Sequence, residues 1–93
     1  MKIYIAGKIT GLENYKELFN VAEQKLLKEG HSVMNPSILP NGFEHEEYMR
    51  ICYAMIDVCD CVYFLNNWTK SKGAQMEHDY AIEFKKKRIY QRK

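Results

Sequence analysis

Proline is almost missing from this 93-residue chain: only Pro36 and Pro40 occur, and no proline-, glycine- or serine-rich tract separates one part from another. That excludes a flexible linker and leaves one domain, residues 1–93, with a single modest core. No apolar run approaches the length that spans a bilayer. The first residues, Met1-Lys2-Ile3-Tyr4-Ile5, are too short and too strand-like for a signal peptide, so a cytoplasmic location and no membrane partner are expected. Cysteine is scarce and odd in number. Three thiols make no disulfide framework, and Cys59-Asp60-Cys61 is not the Cys-x-x-Cys redox spacing. Free cysteines packed as small hydrophobes are the expectation. His31, His45 and His78 are scattered, so neither a metal nor another cofactor is expected. Excess charge is also lacking. A net charge of +2 gives no case for a nucleic-acid polymer, and the Lys85-Lys86-Lys87-Arg88 run suits the end of a helix.

What is present is an ordinary folding composition, 46% apolar against 28% charged, and that balance argues against disorder. Lys2 to Ala6 reads as a strand that opens into a loop bounded by Gly7 and Gly11. This loop is not the Gly-x-Gly-x-x-Gly dinucleotide signature. Residues 14 to 28 follow a helical period, with Tyr15, Leu18, Phe19, Ala22 and Leu26 on the apolar stripe and Gly30 as the stop. A weak strand at 31–34 ends at Asn35-Pro36. A long connection follows, with a turn at Pro40-Asn41-Gly42, long enough to serve as a functional flap. Residues 44 to 58 read as a second helix with Tyr48, Cys52, Met55 and Ile56 inward and Glu44, Glu46 and Glu47 in its acidic first turn. Cys61 to Leu65 is a buried strand, a third helix runs to about residue 86, and Arg88 to Gln91 forms a last short strand.

The order β-α-β-α-β-α-β predicts an α/β fold with a parallel sheet of four to five strands and helices on both faces. This is a small Rossmann- or flavodoxin-like three-layer sandwich. In such sheets ligands sit beyond the carboxyl ends of the strands. Three loops collect there: Gly7 to Gly11, Asn35 onward, and Asn66 to Gly73. Asp60 starts its strand at the opposite edge and reads as structural.

The third helix carries an anomaly. Glu77, Tyr80, Ala81 and Phe84 stand at i, i+3, i+4 and i+7, so a carboxylate occupies the stripe that should face the core. A carboxylate there has either a first-turn electrostatic role or a chemical one. Just ahead of it, Ser71-Lys72-Gly73-Ala74 forms the turn into a helix N-terminus, where outward N–H groups favour an anion. Tyr4, Ser71 and Glu77 converge at this end of the sheet. A buried carboxylate beside such a loop suits attack on an anomeric carbon, with a tyrosine hydroxyl to orient it. Ser71 is a donor for a phosphate or sugar oxygen, and Trp68 is either a pocket wall or a packing anchor.

Lys2-Ile3-Tyr4-Ile5-Ala6-Gly7-Lys8-Ile9-Thr10-Gly11, Tyr48-Met49-Arg50, Cys59-Asp60 and Trp68-x-x-Ser71-x-Gly73-Ala74-x-x-Glu77 together resemble the nucleoside 2-deoxyribosyltransferase superfamily, above all its short bacterial and phage members. The resemblance covers nearly the whole chain. It implies Glu77 as the nucleophile that takes the sugar, with Tyr4 hydrogen-bonded to it. Ser71 stands where the transferases have an aspartate and the related deoxynucleoside-monophosphate N-glycosidases a serine, which implies a nucleotide ligand. Taken with the loops beyond the strand ends, the resemblance gives a candidate binding surface of Gly7, Lys8, Ile9, Gly11, Asn35, Trp68, Ser71, Gly73 and Ala74, and it implies a homo-oligomer, a dimer or higher.

One departure cuts against turnover. The acid that serves the leaving base in that superfamily falls at about Cys52, and a thiol is a poor carboxylic acid at neutral pH. His45, Glu46 and Glu47 are the nearby candidates to replace it. Two functional classes therefore stand: an N-glycosidase or deoxyribosyltransferase of (deoxy)nucleoside monophosphates, and a catalytically impaired nucleotide-binding module, a sensor or sponge. A third class has Glu77 merely capping its helix.

Overall fold

The computed structural model describes residues 1–92 and contains the alternation expected from the sequence. Strand β1 (Lys2–Ala6) leads to helix α1 (Tyr15–Lys28), then β2 (Ser32–Met34), α2 (His45–Asp57), β3 (Cys61–Phe64), α3 (Lys72–Glu83) and β4 (Lys87–Tyr90). Two short 3-10 turns, Pro36–Ile38 and Trp68–Lys70, stand in the loops after β2 and β3. The sheet is all parallel in the order β2-β1-β3-β4, with four strands.

Strand alternation divides the core into two layers. Ile3, Ile5, Cys61, Tyr63 and Leu65 pack with Phe19, Ala22 and Leu26 of α1 on one face. Tyr4, Ala6, Val62 and Phe64 pack with Cys52 and Ile56 of α2 and Ala81 of α3 on the other. The two central strands have no polar face, as expected for a sheet covered on both sides. All three cysteines are free and buried. Among the described residues no helix is long and apolar enough to cross a membrane.

Local chemistry fixes the ends. Glu44 precedes α2, and its N–H is accepted by Glu47 Oε1 at 2.8 Å, one half of a capping box. At the other end Lys86 Nζ donates to the carbonyls of Asp57 and Cys59 at 3.1 and 2.9 Å, so a cation satisfies acceptors left by the finishing helix. Asp60 holds the amino-terminal edge of the sheet: its Oδ2 accepts from the Lys2 N–H at 3.0 Å.

Three inward assignments need correction. Phe84 is 51% exposed because α3 ends at Glu83 and the chain turns away before the stripe is completed. In α2 the buried set is Met49, Cys52 and Ile56, while Tyr48 and Met55 are only half-buried. A helix turns 100° per residue, so position 49 shares a face with 52 and 56.

Candidate functional site

The sheet changes direction of growth between β1 and β3, because β2 lies outside β1 and β3 on its other side. Open α/β sheets bind ligands at such a switch point. Gly7 ends β1 there and runs so close to Leu65 that a Cβ on it would stand 2.7 Å from Leu65 Cδ1. Glycine is required because the Leu65 side chain fills the space that a Cβ would need.

A cavity of about 360 Å³ occupies this position, within the range of small-molecule sites. Tyr4, Gly7, Ile9 and Thr10 form its floor and one lip. Tyr15 and Phe19 enter from α1, and Pro36, Ser37, Leu39 and Asn41 from the loop after β2. Helix α2 contributes His45, Tyr48, Met49 and Cys52, and α3 with its cap contributes Ser71, Gly73, Ala74 and Glu77.

Glu77 is 6% exposed, and its Oε2 accepts the Tyr4 hydroxyl at 2.6 Å across 73 residues of sequence. Burial pushes its carboxyl up to about 7, while the Tyr4 hydrogen bond and the neighbouring Cys52 thiol pull it down. Tyr4 is raised well above the usual phenol range, first by burial and then by the Glu77 charge. Burial, followed by the Glu77 charge, also pushes Cys52 up to about 12. At neutral pH the phenol and the thiol both keep their protons, and Glu77 is poised between its two forms. Among the described residues it is the only acidic one lining the cavity. One buried carboxylate, oriented by a hydroxyl and open to a small-molecule cavity, has the makings of a nucleophile or a base.

Ser71 caps α3: its Oγ accepts the Ala74 N–H at 3.1 Å. The oxygen is thus committed to the helix, whereas its own hydrogen can still be donated into the cavity. Gly73 and Ala74 follow on the wall, so Ser71, Gly73, Ala74, Glu77, Tyr4, Gly7 and Ile9 are brought together as the sequence suggested.

Other residues singled out in the sequence stand elsewhere. Trp68 stacks on His78, with ring centroids 4.3 Å apart and planes at 23°, and packs on Phe64; it does not line the cavity. The packing-anchor role is therefore the one it fills. Lys8 spans the two loops, its N–H donating to Asn67 Oδ1 at 3.0 Å and its Nζ to the Lys70 carbonyl at 3.2 Å. Gly11 takes a φ of +78° in its turn and lies outside the cavity wall. Asn35 is buried as a structural clamp: Oδ1 accepts the Ser37 N–H at 2.9 Å and Nδ2 donates to Glu23 Oε1 at 2.7 Å. Cys52, at the position of the missing acid, and His45 line the cavity, whereas Glu46 and Glu47 are exposed and off its wall, and Glu47 is committed to the cap of α2.

Ser37, Asn41, Thr10, Tyr48 and Met49 are wall residues that the sequence reading did not single out for binding. Tyr48 secures the flap, donating from its hydroxyl to the Pro40 carbonyl at 2.6 Å and accepting the Phe43 N–H at 3.3 Å. A tyrosine six to eight residues after a Pro-Asn-Gly turn is a weak signal for such a clamp. Among the described residues no group of three or more His, Cys, Asp or Glu side chains is arranged to hold a metal ion.

Comparison with known proteins gives one family. The family model described as a domain of unknown function (DUF4406) matches residues 1–90, and the chain belongs to that family. No curated protein matches it.

Proposed function

We propose that this member of the DUF4406 family cleaves or transfers the N-glycosidic bond of a (deoxy)nucleoside monophosphate through a covalent glycosyl–Glu77 intermediate. The observation that carries the reading is the 2.6 Å hydrogen bond from Tyr4 to a carboxylate that is buried yet faces the cavity. In the first step a Glu77 oxygen bonds to the anomeric carbon. The carbon–nitrogen bond breaks, and its electron pair leaves with the base, which takes a proton from solvent. Water, or a second base, then attacks the same carbon, the ester breaks and the carboxylate is restored. Tyr4 donates to the carboxylate and orients it, and Ser71 with the first turn of α3 receives the phosphate. This chemistry uses no cofactor, and the setting is cytoplasmic. The homo-oligomer implied by the family resemblance belongs to the same reading; light scattering on the purified protein measures it.

A second reading is favoured by one specific feature. A retaining glycosidase has two carboxyl groups at the reaction centre, and among the described residues Glu77 is the only one on this cavity wall. Cys52, pushed up to about 12, gives up its proton too reluctantly to replace the second. A nucleotide-binding module, a sensor or sponge, is the alternative for the same cavity.

One experiment separates them. The protein is incubated with a panel of nucleosides and (deoxy)nucleoside monophosphates, and free base is read by chromatography beside the melting temperature. Base release that disappears in Glu77→Gln supports the enzyme. A melting shift without release supports the binding module. Neither response to any member of the panel overturns both.

A further inference from the structure

Gly73 lacks a side chain where the surrounding protein would accept one. A Cβ built on it stands 3.6 Å from Met49 Sδ, 3.7 Å from His45 Cε1 and 3.9 Å from Ser71 Oγ, all ordinary van der Waals separations. Its φ lies outside the left-handed region, and it is the second residue of α3, where alanine is the better helix former. Neither packing nor backbone geometry calls for glycine here. At Gly7, by contrast, the same test gives 2.7 Å and the fold does call for it. What the absent methyl preserves at Gly73 is open space in a corner of the cavity bounded by the His45 ring and the Ser71 hydroxyl.

We propose that His45 is a phosphoryl ligand, and that Gly73 is bare so that a phosphate monoester can seat between His45 and Ser71. This rests on the nucleotide reading above and deepens it, because it moves His45 from the leaving base to the opposite end of the substrate. Three features support it. The His45 ring lies beside Gly73 and Ser71, at the cap of α3, whereas Glu77 is one helical turn further along that helix. A nucleotide's phosphate and anomeric carbon stand on opposite sides of its sugar, so that separation is of the right order for one substrate to reach both. The corner also receives the amino-terminal ends of two helices, since His45 is the first residue of α2 and Gly73 the second of α3. Finally, the corner's other polar group is a donor: Ser71 accepts from Ala74 and retains its own hydrogen for an outside oxygen. The charged groups adjacent in sequence are Glu44 at the cap of α2, Glu46 and Glu47 in its first turn, Lys70 in the 3-10 turn before α3 and Lys72 at the start of α3; Glu47 is held at the Glu44 N–H.

The test compares wild type, His45→Ala and Gly73→Ala for binding of a nucleoside, its 5′-monophosphate and inorganic phosphate, by calorimetry at one pH and low salt. The expected result is a tenfold or greater fall in the monophosphate-to-nucleoside affinity ratio for both variants, with loss of the inorganic phosphate signal. Gly73→Ala should melt at or above the wild-type temperature, which separates a filled corner from a damaged fold. Equal weakening of nucleoside and monophosphate by His45→Ala would place His45 at the base and overturn the assignment, as would no change in either. If inorganic phosphate binds in a His45-dependent way while no nucleotide does, the corner stands and the nucleotide reading falls. If wild type binds none of the three, both fall.

Discussion

Tyr4 and Glu77 meet at 2.6 Å because β1 delivers an even-numbered residue to the face that α3 covers. The bond joins two groups that could not both be charged. Tyr4 keeps its proton and spends it on the carboxylate, so the hydrogen bond favours ionised Glu77 against the cost of burial. Tyr4→Phe removes that donor while preserving the ring. We expect the Glu77 carboxyl to move further up from about 7, so that the acid limb of any activity profile shifts to higher pH. A profile of base release against pH for the two proteins measures it; an unmoved limb would mean that the bond does not govern Glu77.

The raised carboxyl also sets the direction of a stability change. With a folded value of about 7 above an ordinary 4.5, the folded protein holds this proton more tightly than the unfolded chain does. The contribution is fully present below about 4.5 and is lost as pH rises through about 7. That gap corresponds to about 3 kcal/mol at the usual conversion, as an upper figure. Glu77→Gln keeps an acceptor for Tyr4 and cannot ionise. It should therefore melt higher than wild type at pH 8 and no higher at pH 5. Denaturant unfolding at both pH values tests this, and equal differences at the two would contradict the buried-charge account.

Much of this arrangement was legible in the chain. The apolar runs of β1 and β3 and the helical period of α1 are plain in the chain, and the Glu77 anomaly stood out because a charged residue occupied the position one turn before Ala81. What escaped were roles that depend on a distant partner. Asn35 carries the same amide whether it meets a ligand or Glu23, and only the packing of α1 against the loop after β2 decides. Trp68 stands next to the cavity loop in sequence, but its flat face is taken by His78, two turns into the next helix. Tyr15 and Phe19 read as core and are core, yet the same stripe runs on into the cavity wall. Apolar periodicity shows which side is turned from water without showing whether protein or ligand fills it.

Asn35 gives a direct check on that correction. Asn35→Ala removes the cap of the Pro36–Ile38 turn and leaves Glu23 without its partner. We expect a loss of about 1–2 kcal/mol in unfolding free energy. Ligand affinity should hold, since the side chain does not reach the cavity wall. A ligand-specific loss with stability intact would return Asn35 to the binding surface.

Gly7 tests the floor of the site. Alanine there puts a methyl within 2.7 Å of Leu65 Cδ1 and 3.0 Å of both Leu65 Cβ and Cγ. Contacts that close force β1 and β3 apart or drive Leu65 from its rotamer, and overpacking of this kind costs about 1–3 kcal/mol. Leu65 is 2% exposed and belongs to the α1 layer, so it has little room to move. Gly7→Ala should accordingly lower the midpoint of urea unfolding. Shortening the opposing residue in the double variant Gly7→Ala, Leu65→Val removes the Cδ1 atom that makes the closest contact. Because the two residues touch, the substitutions should be non-additive, with the double variant more stable than the sum of the single losses allows. Strict additivity would mean that Gly7 is constrained by something other than Leu65.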